Sequence, residues 1–298
     1  MRTVTTISEV RAACDEVRRA DTIVGFVPTM GAFHAGHRSL MSTARRECGF
    51  VVVSLFVNPT QFGPNEDLAA YPRDVDRDAA AAAAEGVDLL FCPSVEEMYP
   101  EPGRTTVHVD GLTDRLCGAR RPGHFDGVTT VVSKLFSIVG PCTAFFGRKD
   151  AQQLAVVRRM TRDLDLPVEL VGCPLVREPD GVAMSSRNAY LTEGQRTAAR
   201  VLSRSLRAGA DLVVQGERTA VVVRDAIVGV IATEPLVELD YAEIVDAASL
   251  EPRDRLAGEV LIAVAANVGR ARLIDNCTIV VDGDDVTVDL GVIAEPQS

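Results

Sequence analysis

The residues with the most chemical promise lie in Pro28-Thr29-Met30-Gly31-Ala32-Phe33-His34-Ala35-Gly36-His37. His34 and His37 are three apart, so at a helix start they share one side of the incoming turn. Gly31 and Gly36 let a backbone approach a ligand closely. The segment follows the short apolar run Thr22 to Val27 and opens a helical stretch from about Gly36 to Glu47. A helix N-terminus offers unpaired N–H groups and partial positive charge to phosphate. Two imidazoles beside it would steady charge that grows on such a phosphate in a transition state. No third His, Cys or carboxylate completes a metal set nearby. Phosphate handling is the chemistry expected here.

Other residues could join that chemistry. Of 31 basic residues only Lys134 and Lys149 are lysine, so each stands out against a strong bias to arginine. Lys134 sits in an apolar helical stretch and reads as incidental. Lys149, in Phe146-Gly147-Arg148-Lys149-Asp150, falls between a strand and a helix, where an ammonium on a flexible stem can meet phosphate. Asp150 and Gln153 are three apart on that helix and can face the same site. Met184-Ser185-Ser186-Arg187 supplies hydroxyls and a cation on a loop after Asp180-Gly181, a commonplace string when taken alone. Gln61, after Asn58-Pro59, carries a neutral amide able to pair with hydroxyls and carboxylates; on the residues alone a solvated loop is the preferred reading. Arg121 and His124 read equally as anion contacts or as a solvated loop. Asp78, in the acidic stretch Asp74 to Asp78, is either a magnesium ligand or, preferably, part of a solvated helix start that favours carboxylates.

These residues need a scaffold, and the chain has the means to build one. It has 298 residues, 47% of them hydrophobic, with a net charge of −11. Such a charge argues against a nucleic-acid partner. The most apolar run, Phe50 to Val57, is far short of the roughly 20 residues that span a bilayer, and the N-terminus has no secretory core. Seven cysteines without a C-x-x-C pair suggest reduced, mostly buried thiols and a cytoplasmic protein. Apolar strands alternate with helices up to about residue 174. That pattern predicts a Rossmann-like, doubly wound parallel sheet in an α/β domain, residues 1–174. Helices at Thr192 to Val214 and Arg218 to Thr233, followed by three strand-like runs, predict a smaller α+β domain, residues 175–298. A cleft between the two is the expected ligand site. The acidic tail after about residue 282 is expected to be poorly ordered.

A strand followed by H-x-G-H resembles the nucleotidyltransferase superfamily. The wider strings PTMGAFHAGH (28–37) and FVNPTQFGPNEDLAAYPRD (56–74) are similar to the pantothenate synthetase family, the pantoate–β-alanine ligases. RPGHFDGV (121–128), FFGRKDAQQL (145–154) and REPDGVAMSSRNAYL (177–191) match that family too, whereas beyond residue 200 the likeness is only in length and organisation. The resemblance implies that pantoate attacks the α-phosphorus of ATP, giving pantoyl adenylate, which β-alanine then converts to pantothenate and AMP. Both nucleophiles belong to substrates, which fits a chain with no Ser–His–Asp arrangement.

With the resemblance, the residues acquire roles. His34, His37 and Lys149 become the catalytic set. Met30, Gly31, Gly36, Gly147, Asp150, Val176, Met184, Ser185, Ser186 and Arg187 join them as ATP contacts, with Val176 at the adenine. Gln61 and Gln153 are the implied pantoate ligands. Magnesium is expected with ATP, its protein ligands unassigned, and a homodimer is implied. Arg148 and Ala151 stand where the family usually has an acidic residue and a Tyr. Two alternatives remain at this level. An adenylyltransferase acting on a cofactor precursor leaves the Q-F, K-D-x-Q-Q and M-S-S-R blocks unexplained. A non-catalytic nucleotide-binding homologue would not need His34, His37 and Lys149 intact.

Overall fold

The computed structural model describes residues 1–64, 66 and 68–294. The chain forms two compact units, Met1–Arg148 with Val156–Cys173, and Lys149–Ala155 with Pro174–Ser298. The first half runs β1 (Arg2–Val4), α1 (Ile7–Arg19), β2 (Val24–Thr29), α2 (Ala35–Glu47), β3 (Phe50–Leu55), α3 (Val75–Ala84) and β4 (Leu89–Phe91). The short α4 (Val95–Met98) and α5 (Leu116–Arg120) follow, then α6 (His124–Val139), β5 (Cys142–Gly147), α7 (Ala151–Asp163) and β6 (Val168–Cys173). Beyond these come β7 (Val176–Arg177), α8 (Glu193–Val214), α9 (Ala220–Ile231), β8 (Val237–Asp246), β9 (Gly258–Val268), β10 (Ala271–Asp282), β11 (Asp285–Asp289) and β12 (Val292–Ile293).

In the first unit a six-stranded parallel sheet has the order β1-β4-β3-β2-β5-β6. Val24, Phe26 and Val27 of β2 and Val51, Val52 and Val53 of β3 are all buried. Their unbroken apolar runs reflect a sheet covered on both faces. From β2 the chain proceeds to β3 on one side, and from β5 to β6 on the other, although β2 and β5 are neighbours. Connections that diverge from two adjacent strands open a crevice at their carboxyl ends. The histidine loop leaves β2 at that end.

Local signals explain most of the boundaries. Thr6 and Glu9 form a capping box at α1. Asp74 caps α3 by accepting from the Arg77 N–H, and Gly86 at φ +76° stops it. Helix α6 starts at His124, four residues ahead of the apolar run that signals it, because two glycines obscure its first turn. Gly123 turns the chain at φ +79°, and a Cβ on Gly127 would lie 2.4 Å from the Thr60 carbonyl oxygen. Strand β1 is too short to show a period and exists through its parallel pairing with β4. All seven cysteines are free thiols, and burial pushes the Cys142 thiol up to about 12.

In the second unit α8 and α9 pack on one face of an antiparallel sheet ordered β11-β10-β9-β8. Leu206, Ile227, Ile231, Val260, Ile262 and Val264 are among its core residues. The expectation of a poorly ordered tail is overturned through residue 294. Gly283, at φ +60°, turns the chain so that Asp285–Asp289 hairpins against β10, and Val292–Ile293 pairs with β7. Residues 295–298 lie outside the described residues.

Candidate active site

Thr29 ends β2 by donating its hydroxyl to the Ser54 carbonyl at 2.6 Å, so the strand tip is fixed where the histidine loop begins. Gly31 and Ala32 then take φ values of +89° and +54°. The left-handed region costs Ala32 free energy and must be stabilised by its surroundings. The stabilising group is Asp78. Its carboxylate accepts from the N–H of Ala32 at 2.7 Å and of Phe33 at 2.8 Å. A Cβ on Gly31 would lie 2.8 Å from the same carboxylate. Asp78 is therefore neither a solvated helix-start residue nor an open magnesium ligand; it is 2% exposed and clamps the loop.

The two histidines cap the helix they open. His34 is the N-cap of α2, and its Nδ1 accepts from the Gly36 N–H at 3.1 Å. His37, at the third helical position, turns its Nδ1 back to the His34 N–H at 3.4 Å. The rings lie 4.1 Å apart, centre to centre. An Nδ1 that accepts carries no proton, so each neutral ring bears its proton on Nε2 as a donor. The first turn of α2 holds no acidic residue and its last turn holds Arg45 and Arg46. Nothing in that turn offsets the partial positive charge that a helix start offers an anion.

Gln61 belongs to the same unit. It sits in a short 3-10 turn after β3 and is 9% exposed, so the solvated-loop reading fails. Asn58 donates from Nδ2 to Gln61 Oε1 and to the Gly127 carbonyl, each at 3.1 Å, while its own Oδ1 accepts from Tyr99 Oη at 3.0 Å. With its oxygen engaged, the Gln61 amide turns Nε2 toward Met30 Sδ, 3.1 Å away. His124 Nδ1 meets the Gln61 carbonyl at 2.9 Å, and Arg121 Nη1 lies 3.0 Å from His124 Nε2. Arg121 also pairs with Glu66 through Nε and Nη2. Burial opposes ionisation of Glu66, yet the Arg121 guanidinium holds its carboxyl below the usual range. Arg121 and His124 thus brace Gln61 from its backbone side. Lys134 proves to stand 5.0 Å over the Tyr99 ring, a cation–π contact.

Gly147 ends β5 in the first unit, and the second unit carries the other predicted residues in two segments. Lys149 and Asp150 follow β5, and the Lys149 ammonium lies 3.4 Å from the Asp150 carboxylate. Gln153 follows on the first turn of α7, half-buried. Arg148, which departs from the family pattern, donates from Nε to the Gly172 carbonyl at 3.1 Å within the first unit. In the other segment, Val176 pairs with Val292 and its carbonyl accepts from the Met184 N–H at 2.9 Å. Ser185 caps a 3-10 turn, Ser186–Tyr190, that carries Ser186 and Arg187. Asn188 ties this turn to Glu178 and the Ala183 carbonyl. Arg196 of α8 clamps Glu178 and Asp180. Burial works against the Asp180 charge, but the Val182 N–H and Arg196 pull its carboxyl below the usual range.

Asn58, Arg177, Asp275 and Asn276 escaped the sequence reading. Asp275 had a signal of its own: it interrupts an inward-facing apolar row of β10 between Leu273 and Cys277. Among the described residues no group of three or more His, Cys, Asp or Glu could hold a metal ion. None of the described helices is long and apolar enough to cross a membrane.

The chain also has relatives among known proteins. The family model for pantoate-beta-alanine ligase matches residues 2–278. A pantothenate synthetase from Heliobacterium modesticaldum is 55% identical over 279 residues, 94% of this chain and 99% of that relative. The crystal structure of pantothenate synthetase from Thermus thermophilus superposes with a TM-score of 0.88 at 50% identity, covering 93% of this chain and 98% of that one. A pantoate-beta-alanine ligase from Francisella tularensis, solved as a complex with beta-gamma ATP and beta-alanine, gives 0.74 at 31% identity, over 93% and 97% of the two chains.

Proposed function

The chain belongs to the pantoate–β-alanine ligase family, and from that membership we propose that it joins pantoate to β-alanine with ATP, releasing AMP and pyrophosphate. The observation that carries the reading is the clamped histidine loop at the carboxyl end of β2, beside the switch point of the sheet. In the first step a pantoate carboxylate oxygen bonds to the α-phosphorus and the bond to the β-phosphate oxygen breaks. In the second the β-alanine nitrogen bonds to the acyl carbon, AMP leaves with the acyl oxygen, and the amine proton passes to solvent. Both nucleophiles come with the substrates, so the protein's part is positioning and charge stabilisation.

His34 and His37, each donating from Nε2, take the ATP phosphates at the start of α2, with Met30, Gly31 and Gly36 lining their approach. His37 bears most on the departing pyrophosphate. Gly147, Lys149 and Asp150 supply a second phosphate contact, Lys149 as a point charge. Val176 meets the adenine, and Met184, Ser185, Ser186 and Arg187 are further ATP ligands. Gln61 and Gln153 hold pantoate through their amides. Magnesium bound with ATP would spread the phosphate charge; Asp78, with both oxygens engaged, is a poor ligand for it. The ATP and beta-alanine held by the Francisella relative support the choice of substrates. A cytoplasmic homodimer without nucleic-acid or membrane partners completes the proposal.

The test is an assay with ATP, magnesium and pantoate, with and without β-alanine. AMP and pantothenate should appear in equal amounts, and only when both acid and amine are present. AMP retained on a product would indicate an adenylyltransferase instead. Silence for both AMP and pyrophosphate would overturn catalysis.

A further inference from the structure

Strand β10 holds an anomaly. Ala271, Leu273, Cys277, Ile279 and Val281 are buried in the core shared with α8 and α9. Asp275 falls in the middle of that row, opposite Val264 of β9, and is only 2% exposed. A carboxylate there is tolerable only if fully paired. Arg177, 4% exposed, pairs with it at 2.7 and 2.9 Å. The same guanidinium donates to the carbonyls of Leu290, Gly181 and Asn276. Apolar residues of similar volume often stabilise a core as well as such a pair does, so the pair's contribution is sought in what it orients.

What it orients is Asn276. The Asn276 N–H donates to Asp275 Oδ1 at 2.7 Å and its carbonyl accepts from Arg177 Nη2 at 3.3 Å, so its backbone is held on both sides. The two-residue period of a strand turns the Asn276 side chain to the opposite face from Asp275. There Nδ2 donates to the Lys149 carbonyl at 2.8 Å. Resting on the proposed role of Lys149 at the ATP phosphates, we infer that Asn276, braced by the buried Arg177–Asp275 pair, is the positioning residue for Lys149. The need is physical. Lys149 begins the Lys149–Ala155 segment that groups with the second unit, directly after Arg148, which groups with the first. Its ammonium rides on a long flexible stem, and its ion pair with Asp150 spans 3.4 Å, longer than a good hydrogen bond. A fixed backbone carbonyl restricts where that stem starts. The bond from Arg177 to the Gly181 carbonyl also fixes the turn ahead of Met184–Arg187, so one guanidinium sets both phosphate-bearing segments.

Asn276→Asp keeps the size, removes the donor and sets an oxygen against the Lys149 carbonyl; Asn276→Ala removes the donor without adding charge. Both should lower kcat for AMP formation by roughly tenfold to a hundredfold. The β-alanine KM and the thermal midpoint of the Ala variant should stay near those of the unaltered protein. In a Lys149→Ala background neither substitution should lower the rate further, because the group being positioned is gone. Unaltered kcat in both single variants, with Lys149→Ala crippled, would overturn the inference. Equal fold-losses in both backgrounds would also overturn it, since Asn276 would then act apart from Lys149. Full activity of Lys149→Ala alone would overturn the proposed role of Lys149 and this inference with it, an outcome read from that single variant.

Discussion

Both carboxylate oxygens of Asp78 accept main-chain N–H groups of the histidine loop, Oδ2 from Ala32 and Oδ1 from Phe33. Bonds to an ionised acceptor are each worth about 1.5–3 kcal/mol, enough to hold Ala32 in its left-handed conformation. Asp78→Ala should therefore cost stability in urea unfolding and lower kcat, because the imidazoles lose their fixed origin. Asp78→Asn should fall between, since its amide oxygen keeps one N–H while its NH2 opposes the other. If Asp78→Ala leaves kcat unaltered and raises only the magnesium requirement, the clamp is not its role.

The histidine geometry separates two jobs of His37. Its Nδ1 caps the helix at His34, and its Nε2 is the donor proposed for phosphate. His37→Ala should slow turnover by about 10²–10³-fold with a small change in ATP affinity, as removal of an oxyanion donor does. A glutamine amide reaches roughly the Nε2 position and an asparagine amide the Nδ1 position. His37→Gln should accordingly retain more activity than His37→Asn. The reverse order would mean that capping, not phosphate contact, is what His37 supplies.

The histidine loop could be read in the sequence because strand, motif and helix are contiguous there. Asp78 was misread because its partners lie 46 and 45 residues upstream, and a carboxylate near a helix start looks solvated when those amides are unknown. Arg121 and His124 suffered likewise, since their bonds to Glu66 and to the Gln61 carbonyl cross more than fifty residues. Arg177 and Asp275 are 98 residues apart. Only the lone acid in an apolar strand row hinted at that pair, because a buried charge demands a partner that the row itself does not contain. Strands β7 and β12 are two residues each and carry no period of their own.

A turn in the second unit predicts part of the acid response. The Ser249 N–H and the Arg253 guanidinium hold the Asp246 carboxyl down to about 2. A carboxyl lowered in the folded state stabilises the fold above its unfolded value of about 4, and that contribution is lost as pH falls toward 2. Asp246→Asn should thus destabilise by about 1–2 kcal/mol at pH 7, allowing for partial solvent screening. The gap between the two proteins should close between about pH 4 and pH 2. Urea unfolding across that range measures it, and a gap that stays constant would show that the charge of Asp246 contributes nothing.

Gln61 offers the most direct test of how substrate is held. Asn58 donates to its amide oxygen and Nε2 turns one N–H to Met30 Sδ, so the group proposed to meet pantoate is the second N–H of Nε2. Gln61→Ala should raise the pantoate KM and leave the β-alanine KM nearly unchanged. Gln61→Glu should be worse than Ala, because a carboxylate replaces a donor and faces the carboxylate of pantoate. His124→Ala should produce a weaker version of the same pantoate effect, since it releases the Gln61 backbone and not the amide itself. A β-alanine KM that rises instead in all three would assign Gln61 to the amine side. A loss in the Glu variant no greater than in Ala would mean that Gln61 accepts from pantoate through an oxygen freed from Asn58.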